Sequence, residues 1–238
     1  MDADSAGTPE LPYPGREVAA DVGEINAVYR FGLQLRAAGE EQKAHVRYMR
    51  AIEPDSPGEP HVLGMLFAAD GDWAEAEAWW RRAAELGNAR AAFCLGAVLN
   101  ERGETAEAEP WLRQAAEGND PDGAGNYGVL LRDRGDLLEA ETWFRRAVDA
   151  GNTHGAVLLG LLVRDRGDLD EAESLFRWAA DAGDADAANN LGRLLADRGD
   201  LDEAESLFRR SAEAGNPVAA DNLRNLRAAR KRRWWRRH

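Results

Sequence analysis

Two glycine series run along this chain at a fixed spacing of thirty-two residues. One falls at Gly32, Gly64, Gly96, Gly128, Gly160 and Gly192, the other at Gly39, Gly71, Gly103, Gly135, Gly167 and Gly199. A period held that strictly belongs to a chain that stacks copies of one supersecondary unit, so a repeat array is expected in place of a single globular core. The copying is tightest toward the C-terminus, where Asp165–Arg177 (DRGDLDEAESLFR) recurs letter for letter as Asp197–Arg209.

Each unit reads as two helices and two turns. In Thr153–Asp184, Leu159, Leu162 and Val163 form an apolar stripe of helical period, and Gly167 breaks it. Asp168 stands at an N-cap position with Glu171 three residues on, a capping-box pattern. Leu169, Ala172, Phe176, Ala179 and Ala180 then share one face of a second helix, which Gly183 closes. Ser56, Asn88, Asp120, Asn152, Asp184 and Asn216 cap the next first helix in each unit, with Pro57, Pro121 or Pro217 following three of them. The units run 25–56, 57–88, 89–120, 121–152, 153–184 and 185–216, the third closing one residue early at Gly118. Glycine inside a helix costs about 1 kcal/mol relative to alanine, so the series at Gly160 needs a packing reason; close approach of the two helices at Gly160 and Ala172 is expected. Arg224 occupies the seventh position of that series, on a helix-like segment with no second helix after it, which marks a cap from residue 217. The organisation expected is an acidic, disordered leader (1–22), an all-α solenoid of six two-helix repeats with its C-terminal capping helix (23–223), and a basic Arg/Trp tail (224–238).

The pattern Leu159–Gly160, Ala172, Phe176, Ala179 resembles the tetratricopeptide repeat, and Trp79–Gly96 (WWRRAAELGNARAAFCLG) is similar to the related SEL-one-like repeat. The period is thirty-two where the tetratricopeptide consensus has about thirty-four, and Asn, Asp or Ser replaces the proline that ends the consensus unit. The resemblance implies a right-handed α-solenoid that binds peptides or protein surfaces in its concave groove. Co-chaperones of that family hold a C-terminal carboxylate with lysines, and no first helix of the six units has one.

A helical wheel puts unit positions 2, 5, 9 and 12 of the first helix opposite its core stripe. Position 9 reads Leu33, Met65, Ala97, Val129, Leu161 and Arg193; position 5 includes Tyr29, His61, Phe93, Val157 and Asn189; position 12 includes Arg36, Asn100, Arg132 and Arg164. Two readings stand: an apolar floor with an arginine rim, suited to an amphipathic segment bearing carboxylates, or burial between neighbouring first helices. Asn126, Asn190 and Asn222, one position from the floor, are candidates to bond a bound peptide's backbone. Trp79, Trp111 and Trp143 recur on second helices, as packing between units or as a convex aromatic patch.

Catalysis finds no support. There is no phosphate loop, no serine elbow and no histidine pair at ligand spacing, so neither enzyme activity, cofactor, metal nor small-molecule substrate is expected. The three Arg-Gly-Asp tripeptides, at 134–136, 166–168 and 198–200, are explained by their turns. Cys94 alone permits no internal disulfide, and with no apolar leader or membrane-length run a cytoplasmic and, from the arginine-for-lysine bias, bacterial protein is expected. Eight of the thirty basic residues fall in Arg224–His238, which has no acid, against a body of 22 basic and 43 acidic side chains. Only the tail, with Arg232, Arg233, Trp234, Trp235, Arg236 and Arg237, has the composition to meet nucleic acid or anionic membrane; folding back on the acidic body is the alternative. The expected partner is a protein or peptide, bound by the solenoid.

Overall fold

Glycine and aromatic side chains sixteen residues apart set how the helices pair. The computed structural model describes residues 22–51 and 58–235 as thirteen helices. They are α1 (Val22–Ala37), α2 (Glu41–Ala51), α3 (Gly58–Ala69), α4 (Trp73–Glu85), α5 (Ala89–Glu101), α6 (Thr105–Glu117), α7 (Pro121–Arg134), α8 (Leu137–Asp149), α9 (Thr153–Arg166), α10 (Leu169–Asp181), α11 (Ala185–Arg198), α12 (Leu201–Glu213) and α13 (Pro217–Trp235). Of the leader expected over 1–22, residues 1–21 lie outside the described residues, as do the cap at Ser56, Pro57, Arg236 and Arg237, and Val22 already belongs to α1.

A methyl group on Gly160 would sit 2.5 Å from the Phe176 ring. The same collision recurs at Gly32 with Tyr48, Gly64 with Trp80, Gly96 with Leu112, Gly128 with Phe144 and Gly192 with Phe208, at 2.2 to 2.8 Å. The glycine therefore receives the large side chain at unit position 24 and not Ala172. Alanines still matter: Ala76, Ala108, Ala140, Ala172 and Ala204 are fully buried and keep the hairpins tight.

The turns confirm some caps and correct others. Asn88, Asp120, Asn152, Asp184 and Asn216 accept the backbone N–H three residues on, at 2.5 to 2.9 Å. Asp136, Asp168 and Asp200 make no such bond. Arg134 and Arg166 reach forward two residues and donate to Asp136 and Asp168 instead, satisfying a charge where the cap would satisfy a dipole. The third unit does not close early. Asn119 takes the left-handed conformation (φ 61°) that Gly87, Gly151, Gly183 and Gly215 hold in register, as asparagine tolerates. Gly118 is small because a side chain there would strike Ala89 Cβ at 2.6 Å.

Each odd helix packs on the even helix after it, and nearly every even helix on the next odd one. Odd helices also touch odd helices (α1 with α3, α5 with α7, α7 with α9, α11 with α13), whereas no two even helices make contact of that extent. The odd helices are thus the inner layer of a curved solenoid, with one continuous core from Val28 to Phe208. Trp79 and Trp143 are buried in it, and Trp111 is half-buried beneath Arg81, so these tryptophans serve packing. Along the junctions runs an ionic ladder. Arg102, Arg134, Arg166, Arg198 and Arg230 reach back to Glu77, Glu109, Glu141, Glu173 and Glu205, while Arg81, Arg145 and Arg177 reach forward to Glu107, Glu171 and Glu203.

The stack ends at α13. Leu223 and Leu226 pack on the core, Arg227 and Arg230 bind Glu205 and Asp202 of α12, and Arg224 is exposed and paired to Asp221 within its own helix. Where the other odd helices stop at a glycine, α13 has Lys231 and continues to Trp235.

Candidate functional site

The inner face is built from one side of six successive odd helices, so its character follows from what stands at each unit position. Leu33, Met65, Ala97, Val129 and Leu161 are all half-buried and packed against the core, one per unit, while Arg193 is exposed. They make a continuous apolar strip, partly sealed by neighbouring odd helices and partly open. Both sequence readings of this row contain part of the geometry.

Position 5 lies deeper. Tyr29, Phe93, Val157 and Asn189 are buried, so as surface contacts they are corrected: adjacent odd helices close over them and they support the floor from below. Tyr29 packs edge-on to Phe67 and donates its hydroxyl to Leu66 O (3.0 Å) and Asp70 Oδ2 (2.6 Å). Burial and the Asp70 carboxylate raise its pKa, so it acts as a neutral donor. Asn189 accepts from Asn222 Nδ2 at 2.8 Å across the α11–α13 junction. His61 is pushed down to about 4 by burial, with Arg90 adding, and is neutral at ordinary pH.

The rim is ionic and locally paired. Arg36 donates to Asp72 (2.7 Å), and Arg132 and Arg164 each donate through Nε and an Nη to the next residue, Asp133 and Asp165, at 2.7 to 3.0 Å. Such half-exposed pairs contribute about 0–1 kcal/mol, so exchange for a partner's carboxylate is inexpensive. Asn100 accepts from the Thr105 hydroxyl, and Asn126 and Asn190 donate to Asp122 O and Asp186 O of their own helices.

Sequence reasoning missed one part of the face. Leu137 and Leu138 open α8 and are 49% and 82% exposed. With Leu158, Leu161 and Leu162 of α9 they line an open cleft of about 750 Å³ bordered by Arg132, Arg164 and Arg166. The signal was present. Position 18 of the unit is Gln42, Ala74, Ala106, Asp170 or Asp202 elsewhere and Leu138 only here. An apolar cleft of this volume with a few convergent polar groups holds a side chain or a short apolar segment.

Among the described residues no group of three or more His, Cys, Asp or Glu side chains is disposed to hold a metal ion, and no helix is long and apolar enough to cross a membrane. Cys94 is buried, and its thiol is pushed up to about 12 by desolvation.

Comparison with known proteins agrees with this geometry. One tetratricopeptide repeat family model matches residues 61–124 and 157–220, and a second matches 121–146. No curated protein matches the chain. Among solved structures, a Sel1 repeat protein from Oxalobacter formigenes is similar with TM-score 0.63 and 29% identity over 82% of this chain and 88% of that one. The protein c5321, a protective antigen of uropathogenic Escherichia coli strains displaying an SLR fold, gives TM-score 0.68 and 23% identity over 85% of this chain and 49% of that one. YrrB, described as a TPR protein with an unusual peptide-binding site, gives TM-score 0.52 and 22% identity over 75% of this chain and 97% of that one.

Proposed function

The chain belongs to the tetratricopeptide repeat family, and we propose that it is a non-catalytic scaffold holding a peptide or protein surface along the inner face of its odd helices. The observation that carries this reading is the half-buried apolar row Leu33, Met65, Ala97, Val129 and Leu161, which opens into the leucine cleft between α8 and α9. The partner segment is amphipathic: apolar side chains enter the cleft, and carboxylates displace Asp133 and Asp165 from Arg132 and Arg164. A bacterial cytoplasm is the setting proposed for the scaffold, a reading that the single buried cysteine and the arginine-rich composition support.

Capture experiments with intact protein test this. Val129→Asp with Leu161→Asp removes the bound partner while helical content persists, and Leu138→Asp, at a freely exposed site, does the same without burden on the core. Retention of every partner by the Leu138→Asp protein, with its fold intact, would refute the cleft.

A second reading rests on a different observation, the run of α13 past the point where other odd helices stop. Arg227 and Arg230 fold against the acidic body, and Lys231 and the Arg/Trp residues come after them in the sequence. On this reading the tail is a peripheral anchor for anionic membrane or nucleic acid. Truncation after Arg230 then abolishes binding to anionic vesicles or single-stranded oligonucleotide and leaves the groove's partner bound.

A further inference from the structure

Two positions of the repeat carry leucine at one junction and nowhere else. Position 18 is Leu138, and position 6 is Leu158 where the other units have Arg30, Val62, Cys94, Asn126 and Asn190. The two departures meet. Leu138 stands in the first turn of α8, Leu158 lies on α9, and both line the cleft of about 750 Å³ with Leu137, Leu161 and Leu162. They differ in height: Leu158 is 7% exposed, whereas Leu138, at 82%, is the most exposed large apolar side chain among the described residues. A recess and a projection of the same chemistry therefore stand side by side on one surface.

A partner that only fills the recess leaves Leu138 in water, and one that only covers Leu138 leaves the recess empty. A second copy related by a twofold axis satisfies both, since each copy offers the projection that the other's recess takes. The charges favour the same occupant. Arg132, Arg164 and Arg166 border the cleft, and each already pairs within the chain, with Asp133, Asp165 and Glu141 respectively. The rim is thus locally neutral, on a body whose residues 1–223 carry 43 acidic and 22 basic side chains and so repel their own copies elsewhere. The α1–α2 end also exposes apolar side chains, Phe31 and Val46 at 46% each, but its charges differ. Lys43 stands where later units have glutamate and pairs with Glu40; Arg47 stands where they have Trp or Leu and lies over the Phe31 ring. A twofold contact there would bring the two Arg47 side chains toward each other.

We propose that the chain self-associates through the leucine cleft, Leu138 of each copy seated against Leu158 and Leu162 of the other, and that this dimer shields the inner face until a partner displaces it. The shielding rests on the scaffold reading above. Leu161 belongs both to the cleft and to the apolar row, and Arg132 and Arg164 to the rim of both, so dimer and partner compete for the same residues. An amphipathic partner brings free carboxylates for Arg132 and Arg164, which the neutral rim of a second copy does not, and so displaces it. Five leucines a side are few beside the roughly 1,600 Å² that a standard stable interface buries, so the association is weak and readily reversed.

Sedimentation equilibrium of the intact chain over a range of concentrations, with no partner present, tests the contact. The wild type passes from one chain to two as concentration rises, and Leu138→Met retains this. Leu138→Ala raises the dissociation constant about tenfold or more, and Leu138→Asp stays monomeric with unchanged circular dichroism. Raising salt to about 0.5 M tightens the dimer, because it screens the repulsion between two acidic bodies and spares the apolar contact. A wild type that remains monomeric up to about millimolar concentration would overturn the proposal. So would a dimer that salt weakens, or one that survives Leu138→Asp; Val46→Asp then shows whether the α1–α2 end holds it. Partner capture is scored separately, and capture per chain should fall as the dimer fills. Undiminished capture by the dimer removes the shielding. Failure to capture any partner while the dimer forms removes the scaffold reading alone, and capture by a chain that never dimerises removes the self-association alone.

Discussion

Replacing Gly160 with alanine separates packing from helix propensity, because Gly125 provides a control in the same kind of helix. Both glycines are buried inside odd helices. A methyl group at Gly125 meets nothing within 4 Å, whereas at Gly160 it lands 2.5 Å from Phe176 Cε1 and 2.9 Å from Cδ1. Ordinary contact is about 3.5–4.0 Å, so the ring must move by about 1 Å in a core where Phe176 is fully buried. Overpacking of that kind costs roughly 1–3 kcal/mol, and exchange of helical glycine for alanine returns up to about 1 kcal/mol at either site. Gly125→Ala should therefore stabilise by about 0.5–1 kcal/mol, and Gly160→Ala should fall about 1–3 kcal/mol below it. Urea unfolding followed by circular dichroism reads both, and a double-mutant cycle of Gly160→Ala with Phe176→Leu should show coupling of about 0.5–3 kcal/mol. If the two alanine variants shift the midpoint equally and in the same direction, the glycine register has a cause other than the ring at position 24.

Two further outcomes follow from the charges. His61 is held near 4 against an ordinary 6.5, so the unfolded chain takes up a proton that the folded chain refuses between those values. Stability attributable to this residue is fully present above pH 6.5 and is lost as the pH falls toward 4, on the order of 3 kcal/mol at most; His61→Leu should flatten that part of the stability profile relative to wild type. Glu141 bridges Arg145 and Arg166, each at 2.8 Å, across the α8–α9 junction. Glu141→Gln should lower stability by up to about 1 kcal/mol at low salt, and the difference should shrink toward zero near 1 M salt in paired thermal melts.

Most of the fold is legible in the residue order because one rule is repeated. The glycine at position 15, the cap at position 32 and the apolar stripes recur often enough that each unit checks the others, and the thirteen helices follow. What fails is the identity of partners across a junction. Small residues imply close approach and so pair Gly160 with Ala172, yet the matching element is a large ring that fills the notch. Asp168 has the spacing of a capping box, but Arg166 two residues earlier takes its carboxylate. For the groove, the wheel identifies the inner face and not its depth: Tyr29, Phe93, Val157 and Asn189 lie on the correct side but beneath neighbouring helices. Leu138 is a single leucine on an outer helix, and it stands out only when the same position is read across all units.

The junctions described above are nearly interchangeable. Arg198 meets Glu173 as Arg166 meets Glu141, and Phe208 fills the notch at Gly192 as Phe176 fills the one at Gly160. Removing or doubling thirty-two residues in the C-terminal half would leave each new seam with the partners it already has. Identical stretches such as Asp165–Arg177 and Asp197–Arg209 are also where misaligned recombination does this to a gene. Copy number is then a heritable dial: each step lengthens the inner groove by one row without redesigning a contact. The termini alone resist such shuffling, since Lys43 and Arg47 at one end and Arg224 at the other are unlike anything between them.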